Sequence, residues 1–209
     1  MLPGDFFIYK CPSCGKKAFN GSLLSGNTFG EKIYSDGKRI APMMPEYPTI
    51  TQCRKCDTLF RLVGSIGTSD FWESDLATEW GDDISVAEFL SIHGNLDAIN
   101  QEFYDDNMGE IDYRIRIWHL YNDRVRKGEL LFNNDDDEKI WEENLHQLLD
   151  MLDVDDRNEM IMMAEIHRNF GKFEECLSII QSLDSPGMDW LKEKFQIKCK
   201  NQNTLVFRI

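Results

Sequence analysis

The spacing of apolar residues changes character once along this chain of 209 residues. Before residue 64 they come in short runs rich in aromatic and β-branched types. Examples are Phe6-Phe7-Ile8-Tyr9, Thr49-Ile50-Thr51 and Leu59-Phe60-Arg61-Leu62-Val63. Bounded by turn-forming residues, such runs predict short strands. Between them Gly21, Gly26, Gly30, Gly37, Pro42, Pro45 and Pro48 leave no room for a useful helix. From Asp70 onward Gly and Pro become sparse and the period becomes helical. The pattern predicts helices over Asp70–Trp80, Val86–Ile92, Leu96–Tyr104, Glu110–Lys127, Asp135–Leu152, Arg157–Asn169, Lys172–Leu183 and Asp189–Lys200. Ser85-Val86-Ala87-Glu88 has capping-box spacing for the second of these. Asn134-Asp135-Asp136-Asp137 puts negative charge where the dipole of the fifth favours it. Asp155 or Asp156 caps the sixth, and Gly171 ends it. Thr204–Ile209 predicts a terminal strand that docks on the N-terminal sheet.

The expected class is therefore α+β. The change of composition near Gly64–Ser69 divides the chain into residues 1–68, strands and loops, and residues 69–209, helices. Apolar residues make up 42% of the chain, enough for a core in each part. Its first residues lack a basic start followed by a long apolar run, and no stretch approaches the roughly 18 apolar residues that span a bilayer. The expected address is the cytoplasm.

Charge sharpens the division. The net charge is −14, yet residues 1–68 carry nine Lys/Arg against five Asp/Glu, and residues 69–209 carry 14 against 32. So acidic a body repels nucleic-acid phosphates and stays dispersed in water.

Cysteine carries the candidate chemistry. Cys11-Pro12-Ser13-Cys14-Gly15 and Cys53-Arg54-Lys55-Cys56-Asp57 are two Cys-x-x-Cys pairs in one short region, the pattern of a four-thiolate zinc site. Gly15 and Asp57 follow the second cysteine of each pair, and both residue types tolerate the left-handed backbone such a turn needs. Phe19 and Phe60 follow each pair by a few residues and are expected to cover a small core beside the metal. Cys176 and Cys199 stand alone in helical patterns and read as small buried hydrophobes. Lys10, Lys16, Lys17, Arg54 and Lys55 lower nearby thiol pKa values. They favour metal binding and redox chemistry alike.

On those four cysteines, residues 5–65 resemble the zinc-ribbon group of folds. The resemblance implies one structural Zn2+ held by Cys11, Cys14, Cys53 and Cys56. The gap of 38 residues between the pairs exceeds the usual 15–20 or so. The insert 22–48 must form its own loop or hairpin and is a candidate surface. Residues 157–190 resemble a tetratricopeptide-like helix pair. Met160, Met163-Ala164 and His167 lie on the first helix, Gly171-Lys172-Phe173 at the turn, Cys176, Ile180 and Leu183 on the second, and Pro186 after it. The layout as a whole resembles bacterial zinc-ribbon proteins with a helical-repeat tail.

Arg114, Arg116, Arg124 and Arg126 could bind an anion or an acidic peptide; the plainer reading pairs them with the surrounding carboxylates. His93, His119, His146 and His167 lack metal spacing, and Asp153–Asn158 lacks the Gly and closing Glu of a calcium loop. No phosphate loop, nucleophile elbow or dinucleotide fingerprint is present, so catalysis has no positive support. The expected role is a non-enzymatic, zinc-stabilised adaptor or scaffold whose helices bind another protein. Two readings compete with it: nucleic-acid association through the ribbon, with Phe19, Tyr34 and Tyr47 for stacking, and thiol redox or metal handling.

Overall fold

The structure, a computed structural model, describes residues 1–106, 108–183 and 187–209. The class is α+β. Strands β1 (Leu2–Lys10), β2 (Lys17–Ser25), β3 (Lys32–Ile33), β4 (Arg39–Ile40), β5 (Ile50–Gln52), β6 (Leu59–Arg61) and β7 (Gly67–Ser69) precede the first helix, α1 (Leu76–Trp80). Strand β8 (Ser85–Val86) is followed by α2 (Ile92–Asn100), α3 (Glu110–Arg126), α4 (Asp135–Met151), α5 (Arg157–Asn169), α6 (Phe173–Ser182) and α7 (Asp189–Lys200). Among the described residues no helix is long and apolar enough to cross a membrane.

The chain forms two compact units. The first holds Met1–Glu31 and Ala41–Ala98, the second Lys32–Ile40 and Ile99–Ile209. The first unit therefore runs on past the composition change through α1 and most of α2, and a piece of the insert belongs with the helices.

In the first unit β1 and β2 pair antiparallel, with Ile8 opposite Phe19, and continue into a sheet of order β7-β1-β2-β8. Ile8 is fully buried, as the alternation of Phe6-Phe7-Ile8-Tyr9 requires of one face. Strands β5 and β6 form a separate hairpin, Thr51 opposite Phe60. Two helix expectations fail here. Val86–Ile92 is not a helix: Ser85–Val86 pairs parallel with Ala18–Phe19. The Ala87 amide then donates to the Phe19 carbonyl, and Thr51 Oγ1 exchanges hydrogen bonds with the backbone of Glu88. Long-range partners outbid the local capping box. Helix α2 starts later, where the Ser91 hydroxyl accepts from the Gly94 amide. Likewise Asp70–Trp80 shrinks to α1, because Asp70 Oδ1 takes the amides of Trp72 and Glu73 at 2.7 and 2.8 Å and closes a turn instead. Asp75 then caps α1 through the amides of Ala77 and Thr78.

Gly67 lies under the Trp80 ring. A Cβ at this position would come 2.4 Å from a ring carbon. The indole cannot easily swing away, since its Nε1–H donates to Ser69 Oγ at 2.6 Å. Gly67→Ala is thus expected to cost about 1–3 kcal/mol by overpacking, read as a lower urea midpoint; an unchanged midpoint would show that the ring moves freely.

The expected Leu96–Tyr104 helix stops at Asn100 as part of α2, and in the second unit the helices from α3 onward follow the sequence closely. Helix α5 has the expected ends, Asp156 caps it through the amides of Asn158 and Glu159, and Gly171 takes φ of +73° just after it. Helix α3 packs on α4, α5 on α6 and α6 on α7. Ala164 and Cys176 are fully buried in one cluster with Ile180, Leu191, Phe195 and Cys199, so small side chains do bring α5 and α6 together. Pro186, expected after the second helix of that pair, lies outside the described residues. The C-terminal segment does not join the N-terminal sheet. It pairs with the β3–β4 hairpin: Ser35 N donates to Phe207 O and Ile209 N to Ile33 O.

A polar network fixes that hairpin. The Asp36 carboxylate, fully buried, accepts from Arg126 and from Asn122 Nδ2. Ser35 Oγ donates to Glu165, which Arg168 grips with both Nε and Nη2. Arg168 also donates to the carbonyls of Asn203 and Leu205, tying the C-terminal segment down.

Candidate metal centre

Each Cys-x-x-Cys pair is the turn of a hairpin. Cys11–Lys16 joins β1 to β2, whose last pair is Lys10–Lys17. Cys53–Thr58 joins β5 to β6, whose last pair is Gln52–Leu59. The two turns repeat one hydrogen-bond pattern. The first cysteine's amide donates to the residue five ahead, Cys11 N to Lys16 O and Cys53 N to Thr58 O, each at 2.9 Å. Its carbonyl accepts from the residue four ahead, Gly15 N at 3.0 Å and Asp57 N at 2.9 Å. Closing such a turn needs a left-handed residue after the second cysteine, and Gly15 (φ +75°) and Asp57 (φ +54°) supply it.

The turns bring all four sulfurs within 4.8 Å of one another. Across the turns Cys11 Sγ lies 3.7 Å from Cys56 Sγ, and Cys14 Sγ lies 3.5 Å from Cys53 Sγ. A tetrahedral ion with metal–sulfur bonds near 2.3 Å separates its sulfurs by about 3.8 Å. Four thiols at these distances, none in a disulfide, fit a metal ion that prefers sulfur.

Their surroundings differ. Burial pushes the Cys53 thiol up to about 11, against the opposing pull of the Lys55 and Cys56 amides. Cys56 is brought down to about 6 by Thr58, whose hydroxyl lies 3.2 Å from its sulfur and whose amide also faces it. The centre thus joins a sulfur that resists ionisation to one that ionises readily, and a bound metal ion would favour the thiolate form of all four.

Phe60 is buried in one cluster with Cys11, Cys53, Leu62 and Ala87, as expected. Phe19 is not. Its ring meets Phe6 edge-on at 5.2 Å, and Ala18 fills the equivalent place beside the sulfurs. Thr58 was not singled out from the sequence; its position two residues past Cys56 was the available signal. Two of the basic residues near the turns are engaged: Lys17 Nζ donates to the Trp80 carbonyl at 2.6 Å, and Arg54 pairs with Glu88.

The arginines of α3 lie elsewhere, in the second unit, and three of the four are held by carboxylates. Arg114 pairs with Glu110, Arg124 with Asp137 at 2.7 Å, and Arg126 with Asp123 at 2.6 Å as well as Asp36. Arg116 is half-buried on the same helix. Buried Cys176 and Cys199 face each other at 3.6 Å, and burial pushes both thiols up, which makes them poor nucleophiles.

No protein-family model, no curated protein and no solved structure matches this chain.

Proposed function

We propose that Cys11, Cys14, Cys53 and Cys56 hold one zinc ion as a structural clip of zinc-ribbon type, and that the chain is an adaptor or scaffold that works by binding another protein. The observation that carries the first half is the repeated turn: two hairpins with one hydrogen-bond pattern bring four sulfurs within 4.8 Å of one another, close enough to share one ion. A four-thiolate sphere is closed. It leaves no position for water or substrate, so the ion would supply folding energy rather than Lewis-acid chemistry. Six free thiols also suit the reducing cytoplasm.

The second half rests on the helical unit. Its α5–α6–α7 stack has the close helix approach of a repeat pair, a kind of surface that commonly receives peptides. Three of the four α3 arginines, Arg114, Arg124 and Arg126, are taken up by carboxylates, which disfavours an anion site there. Nucleic-acid association through the first unit is disfavoured by Lys17 and Arg54 already being engaged.

A metal assay beside thiol titration of the native chain tests the clip. One zinc per chain is expected, with Cys11, Cys14, Cys53 and Cys56 unreactive until a chelator removes it. Fast-reacting thiols on metal-free, folded protein would replace this reading with redox chemistry. A red, iron-loaded protein would replace the zinc.

A further inference from the structure

Trp72 is an exposed indole of the first unit. It is 72% exposed, and its neighbour Phe71 is 39% exposed. Indole rings seldom stand in water, because each can bury some 150–250 Å2 of surface. This one is braced. Phe71 meets Trp72 edge-on with centroids 5.0 Å apart, Phe6 on β1 lies 5.2 Å from Phe71, and Phe19 on β2 lies 5.2 Å from Phe6. Four rings run in series from the sheet to solvent. The backbone beneath is fixed as well, since Asp70 Oδ1 holds the amides of Trp72 and Glu73. A ring presented this way loses little freedom when something lands on it, which is what a binding anchor requires. Tryptophan is also among the residue types most enriched at the energetic centres of interfaces.

The charge around it selects the occupant. From Asp70 to Asp83 the sequence holds six carboxylates, Asp70, Glu73, Asp75, Glu79, Asp82 and Asp83, and no Lys, Arg or His. All six are exposed. Nucleic acid and anionic lipid would be repelled. A second copy, docking the same patch on itself by two-fold symmetry, would bring like carboxylates together. A cationic peptide meets both features: its ammonium or guanidinium groups pair with the carboxylates, and one of them lies on the indole face.

We infer that the turn Asp70–Asp75 is a docking knob for a Lys/Arg-rich segment of a partner protein, with Trp72 as its anchor. This rests on the reading of the chain as a binding protein and names the surface and the partner's chemistry.

The test is fluorescence anisotropy on the full, zinc-loaded chain with a labelled (Lys-Arg-Leu)5 peptide at moderate salt. Trp72→Ala is expected to weaken binding at least tenfold, and Glu73→Lys severalfold. Trp190→Ala, which removes a half-exposed indole from the second unit, should leave binding unchanged. In the wild-type chain the peptide should shield Trp72 from N-bromosuccinimide while Trp190 still reacts, which keeps the test alive if Trp72→Ala misfolds. Equal affinity for Trp72→Ala would mean diffuse attraction to an acidic chain and would overturn the knob. So would no binding, or equal binding of oligo(dT) or of the peptide with Glu in place of its cations. Zinc content and thiol protection are read on the same samples. A peptide that binds but ignores Trp72 leaves the chain a binding protein with its surface elsewhere; no peptide binding with zinc intact removes the knob and leaves the clip.

Discussion

On the proposed zinc clip, Cys53→Ser is expected to release the ion and unfold the first unit, while the second unit keeps its helices. The elements around the centre are too small to hold themselves. Strands β5 and β6 have three residues each and, among the described residues, form a two-stranded sheet of their own. A two-stranded ribbon of that length is not stable alone in water. The turns that meet at the sulfurs are separated by 38 residues, so bringing them together costs loop-closure entropy that the ion must offset. Apparent zinc-binding free energies in thiolate modules are on the order of 10–16 kcal/mol at neutral pH. The net stability of a domain is about 5–15 kcal/mol. Losing the ion therefore removes as much as the unit has. Calorimetry should show one unfolding transition disappear from the Cys53→Ser chain, and chelation of the wild-type chain should do the same. Cys176→Ser should retain its zinc and both transitions, because that thiol lies in the separate cluster with Ile180 and Phe195. A Cys53→Ser chain that stays folded without metal would end the structural-clip reading.

The gathering of the four cysteines was legible from sequence because their pattern is local: two residues between cysteines, then Gly15 or Asp57 to turn the backbone left-handed. The longer helices were legible for a similar reason. Helices α3 to α7 bury one face each, and the Asp156 cap of α5 sits at its first turn, where the code is short-range. What failed was decided at long range. Ser85–Glu88 had a helix signal, but its amides found partners on Phe19 and Thr51, both distant in sequence. The insert was legible as a loop or hairpin, and it holds the β3–β4 hairpin, but not where that hairpin packs. Its Lys32–Ile40 piece belongs to the second unit because Ser35 and Asp36 meet Glu165, Arg126 and Asn122, partners that no periodicity links to it. The same distance hid where the C-terminal segment goes. Phe207 looked like part of a strand for the N-terminal sheet, but its ring meets Phe195 edge-on at 5.4 Å and lies under the Arg168 guanidinium.

That guanidinium carries the second large expected effect. Arg168→Met should destabilise the second unit by about 3–5 kcal/mol, because removing one partner of a buried ion pair leaves the other charge uncompensated. Arg168 and Glu165 are both fully buried, joined at 2.5 Å and 2.8 Å. Methionine fills much of the space but donates nothing to Glu165 or to the carbonyls of Asn203 and Leu205, so the C-terminal segment loses its tie along with the charge. The pH dependence identifies the cause. Burial pushes the Glu165 carboxyl up, with Arg168 and Ser35 pulling the other way. A carboxyl that binds protons more tightly folded than unfolded contributes fully below its unfolded pKa, about 4.5, and that contribution is lost as pH rises through the folded pKa. Without Arg168 the upward push is unopposed by its nearest positive charge. The variant should therefore be closest to wild type near pH 4.5 and fall further behind toward pH 7.5, as read by urea unfolding at both. Adding Glu165→Leu should restore part of the loss at pH 7.5, since the stranded charge is then gone and only the tie to the C-terminal segment is missing. A loss under about 1 kcal/mol for Arg168→Met, equal at both pH values, would mean that water reaches Glu165 and that the pair does not hold the hairpin and C-terminal segment in place.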